Sequence, residues 1–194
     1  IEAYFSSTQG ISVNASQEVV LIDFTPAVQS FNPLGENYND VFQEWLYNNG
    51  YSANAEYTTM EEALNVEEIP KYAFENNTSL THMDELRYFN NLKIIDNMAF
   101  MGCTNLTSII MPEQPNYEIS IMRFAFGNTG LLEFDSGPGG LLSFNGWDQF
   151  IDCDNLTRVT LRNGGYIPTN AFSGCINLEE ISIIQFGLSG ITIQ

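Results

Sequence analysis

Ala99-Phe100-Met101-Gly102-Cys103-Thr104-Asn105-Leu106 is the stretch that decides the fold, because close copies of it recur along the chain. Residues 171–178 repeat it with only the third and sixth positions changed, and residues 149–156 keep its Phe, Cys, Asn and Leu. Weaker copies begin at Ala73 and Ala125. The phenylalanines of the five copies lie at positions 74, 100, 126, 150 and 172, so the steps are 26, 26, 24 and 22 residues. Self-similarity at such a period is the signature of a solenoid or a related array.

Each full copy continues into an apolar run of the form Leu-x-x-Ile-x-Ile. The runs are Leu106–Met111, Leu156–Leu161 and Leu178–Ile183. This spacing fits a short strand with one buried face. A single coil cannot bury that face alone, so successive coils are predicted to stack their strands in parallel, about 4.8 Å apart. The repeated Phe and Leu then form internal columns, and Phe100, Phe126, Phe150 and Phe172 are predicted to be buried in one stack.

The turns of the repeat carry residues that suit sharp bends. Gly102 and Gly174 lie where a positive φ is expected, and Asp152 occupies the same slot. The copy at Phe126 is one residue short before its Leu, which predicts a distorted turn. Three asparagines at one repeat position are expected to hydrogen-bond the backbone: Asn105, Asn155 and Asn177.

The pattern A-F-x-x-C-x-N-L-x-x-I, with the stretch Glu85–Ile95 that leads into Ala99-Phe100, resembles the BspA-like leucine-rich repeats. The resemblance covers roughly residues 69–183. It implies a solenoid found on secreted or surface-anchored bacterial proteins and used for binding, with no shared catalytic motif. The chain departs from the pattern at Asn128 or Thr129, where Cys is usual, at Gln149, where Ala is usual, and in the Gly-rich segment 136–140.

The resulting fold class is α/β: a leucine-rich-repeat solenoid of short parallel strands and loops or short turns, with a small N-terminal cap of strands and two helices. The cap is assigned to residues 1–68 and the solenoid, of about five repeats, to residues 69–194. Within the cap, apolar spacing predicts a helix over Asp40–Tyr47. Thr59 and Glu62 form a capping box for a second helix that reaches about Val66. Both helices are expected to cover the first coil.

Further strands are predicted near the two ends of the chain, at Ile11–Val13, Val19–Ile22 and Gly190–Ile193. The three cysteines, Cys103, Cys153 and Cys175, share one repeat slot, so we expect free, buried and unreactive thiols. A Cys153–Cys175 disulfide is the weaker alternative, because a stacked column aligns side chains in parallel.

Composition excludes several classes of function. The net charge is −18, with no Lys or Arg before Lys71, which disfavours nucleic acid and anionic lipid. No apolar run is long enough to span a membrane. No cofactor or metal is expected: His82 is the only histidine, the loop 49–62 lacks the EF-hand pattern, and Asp148, Asp152 and Asp154 fit a solvated corner better than a calcium site.

The favoured function is a non-catalytic, monomeric binding or adhesion module for a protein or glycan, including a host-derived one. The resemblance places it outside the cell or on its surface, with a lipid anchor on a segment upstream of Ile1 as one route of attachment. Two alternatives stay open. One is a glycan-processing enzyme that uses paired carboxylates, such as Glu61 with Glu62 or Asp148 with Asp152. The other is a structural spacer within a larger surface protein.

The candidate binding site follows from the strand pattern. Residues between the inward-facing apolar positions point outward, and those at one phase align along a solenoid. This predicts a continuous polar strip for the ligand: His82, Thr107, Ser108, Ile110, Thr157, Arg158, Thr160, Glu179, Glu180 and Ser182.

Overall fold

The structure is a computed structural model that describes residues 40–113, 115, 117–139, 142–162 and 166–184 in full, and the backbone of two strands before them. Those strands, β1 (Gln9–Val13) and β2 (Val19–Asp23), pair antiparallel, with Gln9 opposite Asp23. They extend the two strands predicted near the N-terminus by one or two residues. The strand predicted at Gly190–Ile193 lies outside the described residues.

Two helices precede the solenoid. Helix α1 spans Asp40–Asn48 and helix α2 spans Met60–Ala63, which is shorter than the predicted segment ending at Val66. The predicted capping box is confirmed: the Glu62 N–H donates to Thr59 Oγ1 at 3.1 Å, and the Thr59 N–H donates to Glu62 Oε2 at 2.8 Å. Val66 lies beyond the end of the helix and is fully buried in the core, where it begins the first coil.

The solenoid contributes two strands from most coils, one to each of two faces. On the first face, β3 (Glu68–Ile69), β5 (Ile94–Ile95), β7 (Ile119–Ile121) and β9 (Leu142–Phe144) form one parallel sheet. On the second face, β4 (His82–Met83) pairs with β6 (Ser108–Ile109), and β8 (Glu133–Asp135) pairs with β10 (Arg158–Arg162), which pairs with β11 (Glu180–Ile184). All pairings on both faces are parallel, as predicted for a leucine-rich-repeat solenoid.

The sequence predicted only the strands of the second face. The strands of the first face are two or three residues long, which is too short to show an alternating pattern. Their buried members, including Ile69, Ile95 and Ile121, nevertheless recur at the repeat period.

A stack of phenylalanine rings forms the centre of the core. Successive ring centroids from Phe74 to Phe172 are separated by 5.3, 5.3, 5.2 and 5.3 Å, and all four pairs are stacked. Phe100, Phe126 and Phe150 are fully buried, as predicted. The prediction was wrong for Phe172, which is only partly buried because Phe150 stacks on one side of it and no further ring of the described residues continues the column.

The cap extends this stack at its other end. Trp45 of α1 lies 5.4 Å from the ring of Phe74, and Phe42 lies 6.0 Å from the same ring in an edge-on arrangement. Helix α1 therefore covers the apolar edge of the first coil, as predicted.

Two columns of left-handed backbone flank the phenylalanine stack. Residues two positions after each Phe have φ between 51° and 79°: Asn76, Gly102, Asn128, Asp152 and Gly174. This confirms the prediction for Gly102, Asp152 and Gly174. Residues two positions before each Phe have φ between 58° and 67°: Tyr72, Met98, Phe124, Asp148 and Asn170. The sequence analysis missed this second column, because Tyr, Met and Phe rarely adopt positive φ.

The shortened copy distorts its coil after the corner. Asn128 keeps the left-handed conformation, and Thr129 replaces the usual Cys, with its hydroxyl donating to Phe126 O at 2.9 Å. The missing residue removes the next turn. The strand ladder of the second face is interrupted at this point, between β6 and β8, although the Leu132 N–H still donates to Thr107 O at 3.3 Å.

The asparagine position ties neighbouring coils together in two of the three predicted cases. The side-chain amide of Asn105 donates to Thr78 O, and that of Asn177 donates to Asp154 O, both at 2.7 Å. Among the described residues, Asn155 has no equivalent bond. Its coil follows the shortened copy, which lacks one residue at the matching turn.

The cysteine slot also connects coils. The thiols of Cys103, Cys153 and Cys175 donate to the carbonyl of the preceding coil's Phe at 2.9, 3.0 and 3.0 Å. All three cysteines are free, and Cys103 and Cys153 are buried. Cys175 is only partly buried, so the prediction of uniform burial was wrong there; it belongs to the same coil as the partly covered Phe172.

Cys103 is expected to resist thiol reagents in the folded protein. Burial raises the pKa of its thiol to about 12, which leaves almost no reactive thiolate at neutral pH. In a Cys153→Ala/Cys175→Ala variant, a disulfide reagent should modify the single thiol only after denaturant is added. Complete modification within minutes in native buffer would contradict this expectation.

Candidate functional site

The outward-facing residues of the second face form two aligned rows. In the first row, His82 lies opposite Ser108 on one ladder, and Glu133, Arg158 and Glu180 lie opposite one another on the other ladder. In the second row, Asp135, Thr160 and Ser182 are aligned. The strand pattern therefore gave the correct outward phase. The ladder is interrupted between β6 and β8, so the residues of the predicted strip lie on two separate ladders.

Arg158 is the centre of the larger part. Its guanidinium contacts Glu133 Oε1 at 2.7 Å on one side and Glu180 Oε2 at 3.3 Å on the other. The three side chains are each about half exposed. Hydrogen bonds from Ser182 and then from Arg158 hold the pKa of the Glu180 carboxyl below its usual range. The row is thus an ion-paired ladder open to solvent, in which the carboxylates outnumber the guanidinium.

A second ion pair lies at the end of the same strands. Arg162 donates to both carboxylate oxygens of Asp135, at 3.0 and 2.8 Å, in a two-pronged contact. These hydrogen bonds lower the pKa of Asp135. Sequence reasoning missed Glu133, Asp135 and Arg162. The first two follow Leu131 at the same phase as Arg158 and Thr160 follow Leu156, so the repeat alignment itself carried the signal.

The Asp135 carboxyl should titrate below its ordinary pKa of about 3.9. Because its pKa is depressed in the folded state, its contribution to stability is present at neutral pH and is lost as the pH falls through the folded pKa. Carboxyl NMR titration should show the low midpoint, and Arg162→Ala should move it upward. Arg158→Ala is the matched control, since Arg158 contacts other carboxylates. An Asp135 midpoint that Arg162→Ala leaves unchanged would refute the assignment.

Other predicted site residues have structural partners. The hydroxyls of Thr107 and Thr157 donate to Thr81 O and Leu132 O in the preceding coil, at 3.2 and 3.0 Å. Ser108 donates to Asp84 Oδ1 at 2.9 Å. These residues fasten coils together at the start of each strand. Ile110 and Glu179 are exposed beside the rows, and the His82 ring lies 3.9 Å from Glu85.

Three of the carboxylates considered for catalysis have structural partners. Glu62 serves the capping box, and its Oε1 accepts from the Ala53 N–H at 2.8 Å. Asp148 lies 3.7 Å from Arg123, and Asp152 occupies a left-handed corner packed against Gly174. The loop 49–62, which lacks the EF-hand pattern, is closed by Gln43, whose buried side-chain amide donates to Asn54 O at 2.9 Å.

The described part of the chain contains no helix with the length and apolarity that a bilayer crossing requires. Within the same residues, no three His, Cys, Asp or Glu side chains are grouped so that they could hold a metal ion.

Comparison with protein families agrees with the geometry. The BspA type leucine-rich repeat region matches residues 46–139 and 67–191, with 6 copies. The chain belongs to this family of leucine-rich-repeat proteins, whose members often have binding or surface roles. Searches among curated proteins and among solved structures found no significant match.

Proposed function

We propose that this chain is a non-catalytic adhesion module that binds a protein or glycan ligand outside the cell. The observation that carries the proposal is the exposed row of Glu133, Arg158 and Glu180, which three successive coils align in register. Repeat proteins use such surfaces for binding, because residues from separate coils act together on one ligand. Family membership supports the same class of function.

The ligand site assigned here is the larger part of the second face, centred on Arg158 and Thr160. Arg158 has guanidinium nitrogens beyond those that contact Glu133 and Glu180, and it is half exposed. Surface ion pairs of this kind contribute only about 0–1 kcal/mol to stability. A ligand that supplies carboxylate or hydroxyl oxygens therefore competes with them at little cost to the fold.

The test is an array of extracellular glycans and matrix proteins probed with the purified chain. For any ligand detected, Arg158→Ala combined with Thr160→Ala should weaken binding and leave the denaturation midpoint unchanged. Lys93→Ala is the matched control, since Lys93 forms a comparable exposed ion pair with Glu67 on the first face. Binding that survives the double change but is lost on changes within residues 40–66 would place the site on the cap.

A further inference from the structure

The two left-handed corner columns carry very different residues. The column after each Phe holds Asn, Gly or Asp, which are the types that tolerate positive φ. The column before each Phe begins with Tyr72, Met98 and Phe124, at φ of 64°, 58° and 59°. Left-handed backbone is unfavourable for such bulky residues. Asn170 occupies the same column at φ 67°, so the corner itself accepts an asparagine. The fold does not require bulky side chains there.

These side chains do not gain full burial in return. Tyr72 is 46% exposed, and Phe124 and Met98 are partly buried. Trp147, next to the same column at Asp148, is 58% exposed. Strained and exposed aromatic residues that the fold does not need are typical of binding sites.

Two cations complete the surface. The Lys71 ammonium lies 4.5 Å from the centre of the Tyr72 ring, and the Arg123 guanidinium lies 4.3 Å from the Phe124 ring and 5.4 Å from the Trp147 ring. We call Lys71, Tyr72, Met98, Arg123, Phe124 and Trp147 the aromatic ridge. Backbone bonds align its members: the Tyr72 N–H donates to Asn97 O, and the Met98 N–H donates to Arg123 O.

The charge of the ridge indicates the chemistry of its ligand. Asp148 lies 3.7 Å from Arg123, and the charges of Asp96 and Glu75 act on the Lys71 ammonium, so the two cations are offset by three carboxylates. The whole chain carries −18, which repels acidic polymers. An uncharged ligand is therefore favoured. It must offer apolar faces to the rings and hydrogen-bonding groups to the half-exposed Arg123.

We propose that the aromatic ridge binds an extended, uncharged oligosaccharide that lies along the solenoid axis. A sugar ring has C–H groups on its faces and hydroxyl groups at its edge, which match the rings and the Arg123–Asp148 pair. The ridge repeats with the coil spacing, which is 5.3 Å in the phenylalanine stack. This spacing is close to the advance of one sugar in an extended 1,4-linked chain. Successive coils thus meet successive sugars.

The ridge is separate from the Arg158 row. It follows the strands of the first face, whereas Arg158 lies on β10 of the second face. The inference goes beyond the proposed function, because it adds a second surface and names the class of its ligand.

The experiment titrates the full chain with cellotetraose, mannotetraose and fully N-acetylated chitotetraose up to millimolar concentration, by calorimetry, with a tetrasaccharide of galacturonic acid for comparison. At least one uncharged tetrasaccharide should bind, and the acidic one should bind more weakly. Trp147→Ala should weaken binding about tenfold or more, as loss of a central aromatic contact does. Phe124→Asn should also weaken binding without lowering the denaturation midpoint, because asparagine suits the corner.

Tyr117→Ala is the matched control. Tyr117 is 47% exposed and lies under Lys93 at 4.6 Å, yet it is outside the ridge, so its loss should leave the affinity unchanged. The proposal is overturned if no uncharged tetrasaccharide binds, or if Trp147→Ala and Phe124→Asn bind as the parent does. Loss of saccharide binding in Arg158→Ala/Thr160→Ala alone would also overturn it, and would support the Arg158 row instead. If the double variant still binds saccharide, the ridge proposal is supported. The adhesion proposal is then tested separately by the array.

Discussion

Phe150→Ala is expected to lower the free energy of unfolding by about 3–5 kcal/mol, the range for truncation of a fully buried aromatic side chain. Phe150 is fully buried, and its ring contacts four others, with centroids between 4.8 and 6.1 Å away. Removal of the ring loses those contacts and leaves a cavity that the rigid coils on either side cannot close. Chemical denaturation followed by circular dichroism measures the change.

Phe172→Ala is the matched control for this experiment. Phe172 has the same place in its coil but is partly buried and contacts only Phe144 and Phe150 among the described rings. Its truncation should cost clearly less than that of Phe150. Equal effects at the two positions, or an unchanged midpoint for Phe150→Ala, would contradict the stacked core.

Gly130→Ala is expected to destabilise the chain by about 1–3 kcal/mol, the usual range for overpacking. A Cβ at Gly130 would overlap Thr104 O and would lie 3.3 Å from Leu106 O, both backbone atoms of the preceding coil. Neither atom can rotate away, so the cost should fall in the upper part of the range. The shortened copy needs a glycine here because it brings its backbone directly against its neighbour.

Gly127→Ala tests whether this effect arises from the backbone contact. A Cβ at Gly127 would meet Ile151 Cγ2 at 3.0 Å, which is the end of a side chain that can shift. The expected loss is about 1 kcal/mol or less. If Gly127→Ala destabilised the protein as much as Gly130→Ala does, close approach at Gly130 would not be the cause of its effect.

The sequence predicted features in which a residue type that the backbone or the core requires recurs along the chain. The Phe positions gave the ring stack, Gly102 and Gly174 gave one column of corners, and the Thr59–Glu62 pair gave a helix start. The helix start depends on a local capping motif. The other two depend on contacts within one coil or between identical positions of adjacent coils, and such contacts are visible as a period in the sequence.

What the sequence did not predict depends on residues that break the pattern. The Tyr72 column was missed because nothing in Tyr, Met or Phe signals a left-handed corner. Of the two partners of Arg158, Glu180 was predicted and Glu133 was missed, because Glu133 lies in the shortened copy. The interruption of the ladder between β6 and β8 was missed because the repeat pattern keeps the same phase on both sides of it, from Leu106 and from Leu131.

The interrupted ladder between β6 and β8 has a mechanical consequence. At the other coil junctions the strands of the second face are hydrogen-bonded as ladders, whereas here the coils meet through two long bonds, from the Gly130 N–H to Cys103 O and from the Leu132 N–H to Thr107 O, each 3.3 Å. The first face and the phenylalanine stack continue unbroken across the junction. Tension along the solenoid axis would therefore separate the coils on the second face first. The solenoid would bend at this junction before it unfolds.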